Sequence, residues 1–274
     1  MDFIEFIKVI IIGVVEGITE WLPISSTGHM ILVNEFIRLD VTSEFWEMFR
    51  VVIQLGAILA VVFIFWHKIF PFSFKRGESW IKKDIFTLWF KIGLATIPAA
   101  VIGIPLDDWM DEHLYNYQVV AIALIVYGVW FIFLEKKNTD QTFAIKDVSQ
   151  LSYKTALGIG FFQVLSLIPG TSRSGSTIIG GMLLGTSRTL AAEFTFYLAI
   201  PVMFGASLIK LLKFGLVFSA AELMIMAVGM LTAFLVSLAS IRFLMRYVKT
   251  HDFKLFGVYR IVLGMVVLLY FFFR

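Results

Sequence analysis

Residues 16–29 read Glu16-Gly17-Ile18-Thr19-Glu20-Trp21-Leu22-Pro23-Ile24-Ser25-Ser26-Thr27-Gly28-His29, in the middle of an otherwise apolar stretch, 2–37. A second apolar stretch, 152–186, is broken in the same manner by Pro169-Gly170-Thr171-Ser172-Arg173-Ser174-Gly175-Ser176-Thr177. A helix crossing lipid cannot carry such breaks in contact with hydrocarbon. Irregular polar backbone at membrane depth persists only where protein or a water-filled cavity surrounds it. Each arm is also short against the roughly 20 residues a crossing needs. The two stretches are therefore predicted to be re-entrant helix–turn–helix hairpins.

The rest of the chain supplies the membrane setting. Of 274 residues, 59% are hydrophobic and 16% charged, with a mean hydropathy of +0.88. A soluble domain carries roughly 45–50% apolar and about 25% charged residues, so a soluble globular enzyme is excluded. Disorder is excluded too, because it requires low hydrophobicity. A net charge of +3 gives no reason to expect nucleic acid as a partner, and the lack of Cys removes thiolate metal sites and cysteine nucleophiles. Asp2, Glu5 and Lys8 in the apolar start argue against a cleavable signal peptide. Full spans are predicted at 46–66, 85–106, 117–134, 188–212, 221–241 and 255–273.

The order hairpin, three spans, hairpin, three spans divides the chain at about 150. The expectation is an all-α polytopic membrane protein with an inverted-topology repeat, 1–150 and 151–274, each half a hairpin plus three spans. An offset of 146 residues aligns Pro23 with Pro169, Ser26 with Ser172, Glu47 with Glu193 and Ala60 with Ala206, and one gap brings Glu16 to Gln163. Basic residues set the orientation. Lys68, Lys75, Arg76, Lys82 and Lys83 follow the first span; Lys136, Lys137, Lys146 and Lys154 follow the third; Arg242, Arg246, Lys249 and Lys254 precede the last. The connection after 106 holds Asp107, Asp108, Asp111 and Glu112 and no basic residue. The positive-inside rule places the three basic loops in the cytoplasm and both termini outside. Lys210 and Lys213, near an outward end, are the exception.

Ionisable groups inside apolar segments are costly and point to function. Glu16 and Glu20 lie four residues apart on one helical face. That pair suits a hard divalent cation, Mg²⁺ or Ca²⁺, shared with water and phosphate oxygens; a protonated pair bonded to the turns is the structural alternative. Ser25, Ser26 and Thr27 open the second arm, where a hydroxyl caps the helix and free N–H groups attract an anion. His29, three residues beyond Ser26, has a nucleophile–base spacing, against the plainer reading of a hydrogen-bonded core histidine. In the second hairpin Arg173 sits among Gly170, Thr171, Ser172, Ser174, Ser176 and Thr177. Arg grips phosphate bidentately, and without an anion its charge must be met by Glu16 or Glu20. Together the tips read as a phosphate site with acid–base groups.

The two runs resemble the two signatures of the undecaprenyl-diphosphate phosphatase family, also called bacitracin-resistance proteins, and the hydrophobic profile is similar along essentially the whole chain. The resemblance implies a multi-pass enzyme of the bacterial plasma membrane, its active site open to the outer face, with a divalent-metal requirement. Its reaction would turn undecaprenyl diphosphate into the monophosphate carrier lipid, a step in peptidoglycan synthesis and bacitracin resistance. The resemblance also implies Glu16 and Glu20 as the acidic motif, Ser26 as nucleophile, His29 as acid–base residue and Arg173 as phosphate clamp. Expected partners are the lipid substrate and membrane lipid, with a homodimer left open. A transporter or flippase for a phosphorylated lipid is the alternative, since broken helices and inverted repeats are typical of that class. Another lipid phosphatase superfamily uses a histidine nucleophile, but Ile179 stands where its motif needs that His.

Overall fold

In the computed structural model, residues 2–74, 79–137 and 143–273 are described; Lys75 and Arg76 of the basic loop lie outside the described residues. The fold is all-helical. Helices α1 (Phe3–Thr19) and α2 (Ser26–Phe36) flank the first break, and α3 (Ser43–Val52) and α4 (Gln54–Ile69) follow. Next come α5 (Lys83–His113), α6 (Tyr117–Lys137), and α7 (Tyr153–Val164) with α8 (Arg173–Leu183) around the second break. The chain ends in α9 (Arg188–Phe214), α10 (Ala220–Tyr247) and α11 (Lys254–Phe272). Among the described residues β-type pairing is confined to two isolated bridges.

Among the described residues, six segments are long and apolar enough to cross a membrane: Ser43–Ile69, Lys83–His113, Tyr117–Lys137, Arg188–Phe214, Ala220–Tyr247 and Lys254–Phe272. They fall where the hydropathy predicts, with differences at the ends. The first is two helices, α3 and α4, meeting at Ile53. The acidic run expected in a connection forms the last turns of α5. Those turns are held by ion pairs: Lys210 bonds Asp107 (3.0 Å) and Asp111, Lys213 bonds Asp107 (2.8 Å) and Asp108 (2.6 Å), and Arg50 bonds Asp111 (3.2 Å). The basic pair that departs from the charge pattern is thus neutralised by the acids beside it. At the opposite end of the bundle Arg188 forks onto Glu135, which also accepts from the Phe253 N–H at 3.0 Å, and Lys68 bonds Glu193 at 2.8 Å.

The first arm of each broken segment packs on a long helix from the other half of the chain, α1 along α10 and α7 along α5, while α11 packs along α6. Two glycines permit the closest crossings. A Cβ at Gly56 would lie 2.1 Å from the Met230 carbonyl oxygen, and one at Gly160 would lie 2.3 Å from that of Ala95. Between helices in lipid the attraction is close packing rather than a hydrophobic driving force, so these approaches hold the bundle together. Gly93, by contrast, faces open space. Gly56→Ala should lower the melting temperature of the purified protein, whereas Gly93→Ala should leave it unchanged or raise it, since Ala exceeds Gly in helix propensity by about 1 kcal/mol. Thermal unfolding of the two variants in detergent measures the contrast.

Candidate active site

The two breaks have the same local geometry. Ser25 (φ 71°) and Ser172 (φ 72°) are the only described non-Gly residues with positive φ. Each is an N-cap: Ser25 Oγ accepts from the Gly28 N–H at 3.3 Å and Ser172 Oγ from the Gly175 N–H at 3.1 Å. The counterpart of Ser172 is therefore Ser25, one residue away from the Ser26 pairing of the ungapped alignment. Because Ser25 does the capping, the Ser26 hydroxyl is free for other work.

That hydroxyl donates to Glu20 Oε2 at 2.8 Å, while the other carboxylate oxygen, Oε1, accepts from Arg173 Nη2 at 3.0 Å. Glu20 is 7% exposed. Arg173 also donates to the Thr195 carbonyl at 3.1 Å and lies over the Trp21 ring, 5.6 Å from its centroid. One carboxylate from the first tip thus joins its own tip's hydroxyl to the second tip's guanidinium. Glu16, one helical turn back and 1% exposed, has a buried Oε1 with no protein partner. Glu16, Ser26 and Thr27 line one end of a cavity of about 340 Å³; Arg50, Asp107, Asp111 and Lys210 line it on the side of the acidic turns of α5.

The remaining hydroxyls serve the tips themselves. Ser174 Oγ donates toward the Glu20 and Leu22 carbonyls (3.3 and 3.2 Å), tying the second tip to the first. Ser176 bonds back to the Ser172 carbonyl at 3.0 Å, and Thr177 pairs with Thr195 at 2.8 Å. Gly170 (φ 92°) packs where a Cβ would meet the Val120 carbonyl oxygen at 2.5 Å, and Thr171 is buried. Of the hydroxyl residues singled out at the tips, Ser26 and Thr27 line the cavity.

His29 has another neighbour than the one its spacing suggests. Its Nδ1 lies 2.7 Å from the Ser25 carbonyl and its Nε2 2.6 Å from the Tyr259 hydroxyl, with the two rings stacked. A carbonyl only accepts, so Nδ1 carries the proton and Nε2 accepts from Tyr259. Both ring nitrogens are occupied, and Ser26 turns to Glu20 instead. Tyr259 and its neighbour Arg260 were missed from sequence. Arg260 is fully buried, donating through Nη1 to the Pro23 carbonyl (3.2 Å) and through Nη2 to the Gly170 and Thr171 carbonyls (both 2.9 Å). The signal was there: a lone cation inside the last apolar span is a functional pointer by default.

Known proteins match this chain along almost its whole length. The family model described as bacitracin resistance protein BacA matches residues 9–266. The chain is 62% identical over 268 residues to an undecaprenyl-diphosphatase of Acetivibrio thermocellus, covering 98% of each protein. It is 62% identical over 270 residues to one of Enterococcus faecalis, again covering 98% of each. A third, from Desulfitobacterium hafniense, is 59% identical over 272 residues, covering 99% of this chain and 98% of the relative. The matched span takes in both broken segments, the Glu20 bridge between them and the Arg260 clamp behind them: the chain belongs to the bacitracin resistance protein family.

Proposed function

We propose that this chain is an integral membrane phosphatase that hydrolyses undecaprenyl diphosphate to undecaprenyl phosphate and inorganic phosphate, recycling the carrier lipid of cell-wall synthesis. The observation that carries this reading is the Glu20 carboxylate, held between the Ser26 hydroxyl and the Arg173 guanidinium beside a cavity. Ser26 attacks the terminal phosphorus and gives its proton to Glu20, already in hydrogen-bond contact. The phosphoanhydride bond breaks, undecaprenyl phosphate departs, and water then hydrolyses the phosphoserine while Ser26 recovers a proton. Arg173 offsets the charge on the equatorial oxygens. With its Nε2 engaged by Tyr259, His29 acts on the α2–α11 contact rather than as the base for Ser26.

Glu16 fits a divalent cation, while both Glu20 oxygens are already bonded, to Ser26 and to Arg173, so Glu20 would help to hold the ion only through a remaining lone pair. The buried Oε1 of Glu16 lacks a protein partner, and the described residues contain no group of three or more metal-ligating acids or histidines. A Mg²⁺ or Ca²⁺ ion here would draw its other ligands from water and substrate oxygens, the usual arrangement for Mg²⁺. When bound, it supplies charge neutralisation of the phosphoryl group.

The duplicated capping geometry and the reciprocal packing of α1 on α10 and α7 on α5 support an inverted repeat with re-entrant hairpins. The basic loops support a cytoplasmic location for the end carrying Lys68 and Arg188, so the termini and the Arg50 side of the cavity face outward.

Glu20→Gln and Ser26→Ala should each lose roughly 10²–10⁴-fold in kcat, the range for a general base and its partner, with phosphate release in detergent as the assay. Ser26→Ala should keep its melting temperature, because Ser25 provides the cap; an active Ser26→Ala protein would make water the nucleophile. Chelation should abolish wild-type turnover, and excess Mg²⁺ should partly restore Glu16→Gln; full activity after thorough chelation would remove the cation. In intact cells of a strain making the Cys-free protein, Glu112→Cys should react with an impermeant maleimide and Lys82→Cys should not. The reverse pattern would invert the orientation.

A further inference from the structure

Four residues beyond the capping serine of each turn, a side chain bonds back to that serine's carbonyl. In the second turn Ser176 Oγ donates to the Ser172 carbonyl at 3.0 Å, alongside the Ser176 N–H, also at 3.0 Å. In the first turn the residue in that place is His29. Its Nδ1 reaches the Ser25 carbonyl at 2.7 Å, while its main-chain nitrogen is 3.4 Å from the same oxygen. The ring therefore holds a carbonyl that the helix ladder holds only loosely. A hold that needs no imidazole in one turn is built with one in the other. The difference lies beyond the carbonyl: the serine ends there, whereas the imidazole continues to the Tyr259 hydroxyl, 2.6 Å from Nε2.

That second contact decides whether the first can form. A neutral imidazole carries one N–H, and the Ser25 carbonyl can only accept. With the proton on Nε2, a nitrogen lone pair would face the carbonyl oxygen across 2.7 Å. The Tyr259 hydroxyl, donating to Nε2, selects the Nδ1–H form. Its ring stacks on the imidazole, 7° from parallel with centroids 5.6 Å apart, and so fixes the ring plane as well. Ser25 sits at φ 71°, where a side chain is strained, and its carbonyl shares a peptide plane with the Ser26 nitrogen. Whatever turns that plane turns the Ser26 side chain off Glu20, to which it donates at 2.8 Å. On the other side of the turn Arg260, next to Tyr259 in α11, holds the Pro23 carbonyl at 3.2 Å. Resting on the phosphatase reading, we infer that Tyr259 is a positioning residue, acting through the tautomer of His29 on the Ser25 peptide and so on the nucleophile Ser26.

Tyr259→Phe keeps the stacked ring and removes the donor. It should lower kcat for undecaprenyl diphosphate by about tenfold, the scale of one hydrogen bond, with KM and the melting temperature close to wild type. His29→Ser copies the second turn and should recover most of the turnover that His29→Ala loses. In the His29→Ser background Tyr259→Phe should cost nothing further, since the tautomer it selects is gone. A readout independent of turnover is the nitrogen NMR spectrum of protein isotopically labelled at its four histidines, with His29→Ser identifying the His29 signals. It should show the Nδ1–H tautomer in the wild type and a mixture in Tyr259→Phe. Wild-type kcat in Tyr259→Phe would overturn the positioning role. So would a folded His29→Ser protein as inactive as His29→Ala, because the imidazole itself would then be indispensable. A wild-type protein with the Nδ1–H tautomer but no turnover would instead overturn the phosphatase reading and leave the Tyr259–His29 hold standing.

Discussion

Three peptide carbonyls, those of Pro23, Gly170 and Thr171, converge on the buried guanidinium of Arg260. They belong to two chain breaks that no helix ladder satisfies, at the centre of an apolar bundle. Unpaired polar backbone there costs several kcal/mol per group, so neither tip is stable without a donor from elsewhere. One side chain on the last span answers both. Its planar fork spans acceptors from two segments, which a flexible ammonium does less well. The two tips are consequently fixed relative to each other before any substrate arrives.

On that frame the contacts between the two tips are short and crossed. Glu20 reaches from the first tip to Arg173 of the second, Ser174 of the second returns to the Glu20 and Leu22 carbonyls, and Ser26 completes the carboxylate. Preorganised charge of this sort is what phosphoryl transfer uses, since the chemistry demands little beyond positioning and charge stabilisation. Arg173 is paired with Glu20 in this arrangement, so the guanidinium is kept oriented at low cost in a dry setting.

The ends of the bundle hold the site at mid-depth. Glu135 with Arg188 and Phe253 clamps one end, and the Asp107, Asp111, Lys210 and Arg50 network clamps the other. Between them, close crossings at Gly56 and Gly160 bring helices of the two halves into contact, so each broken segment leans on the opposite half. The bundle is one body because its weakest elements, the short arms, are braced by its longest ones.

Hydropathy alone was enough for the helix class, the six long segments and the positions of both breaks, because lipid imposes a length and a composition on every crossing. Glu20, Ser26 and Arg173 were equally legible as polar groups with no other reason to lie in apolar runs. That Arg173 would meet a carboxylate of the first tip was legible as well, but not which of the two, nor what Ser26 and His29 would bond. The ungapped repeat alignment pairs Ser26 with Ser172, but the capping bonds belong to Ser25 and Ser172, a one-residue difference that only backbone dihedrals reveal. His29 has the spacing of a base for Ser26, yet its ring turns to Tyr259, a residue 230 positions away. Arg260 was visible as a lone cation, while its role depends on three carbonyls from distant turns. Residue type and periodicity are local properties written along the chain; hydrogen-bond partners across the bundle are set by how helices pack, and that exists only in three dimensions.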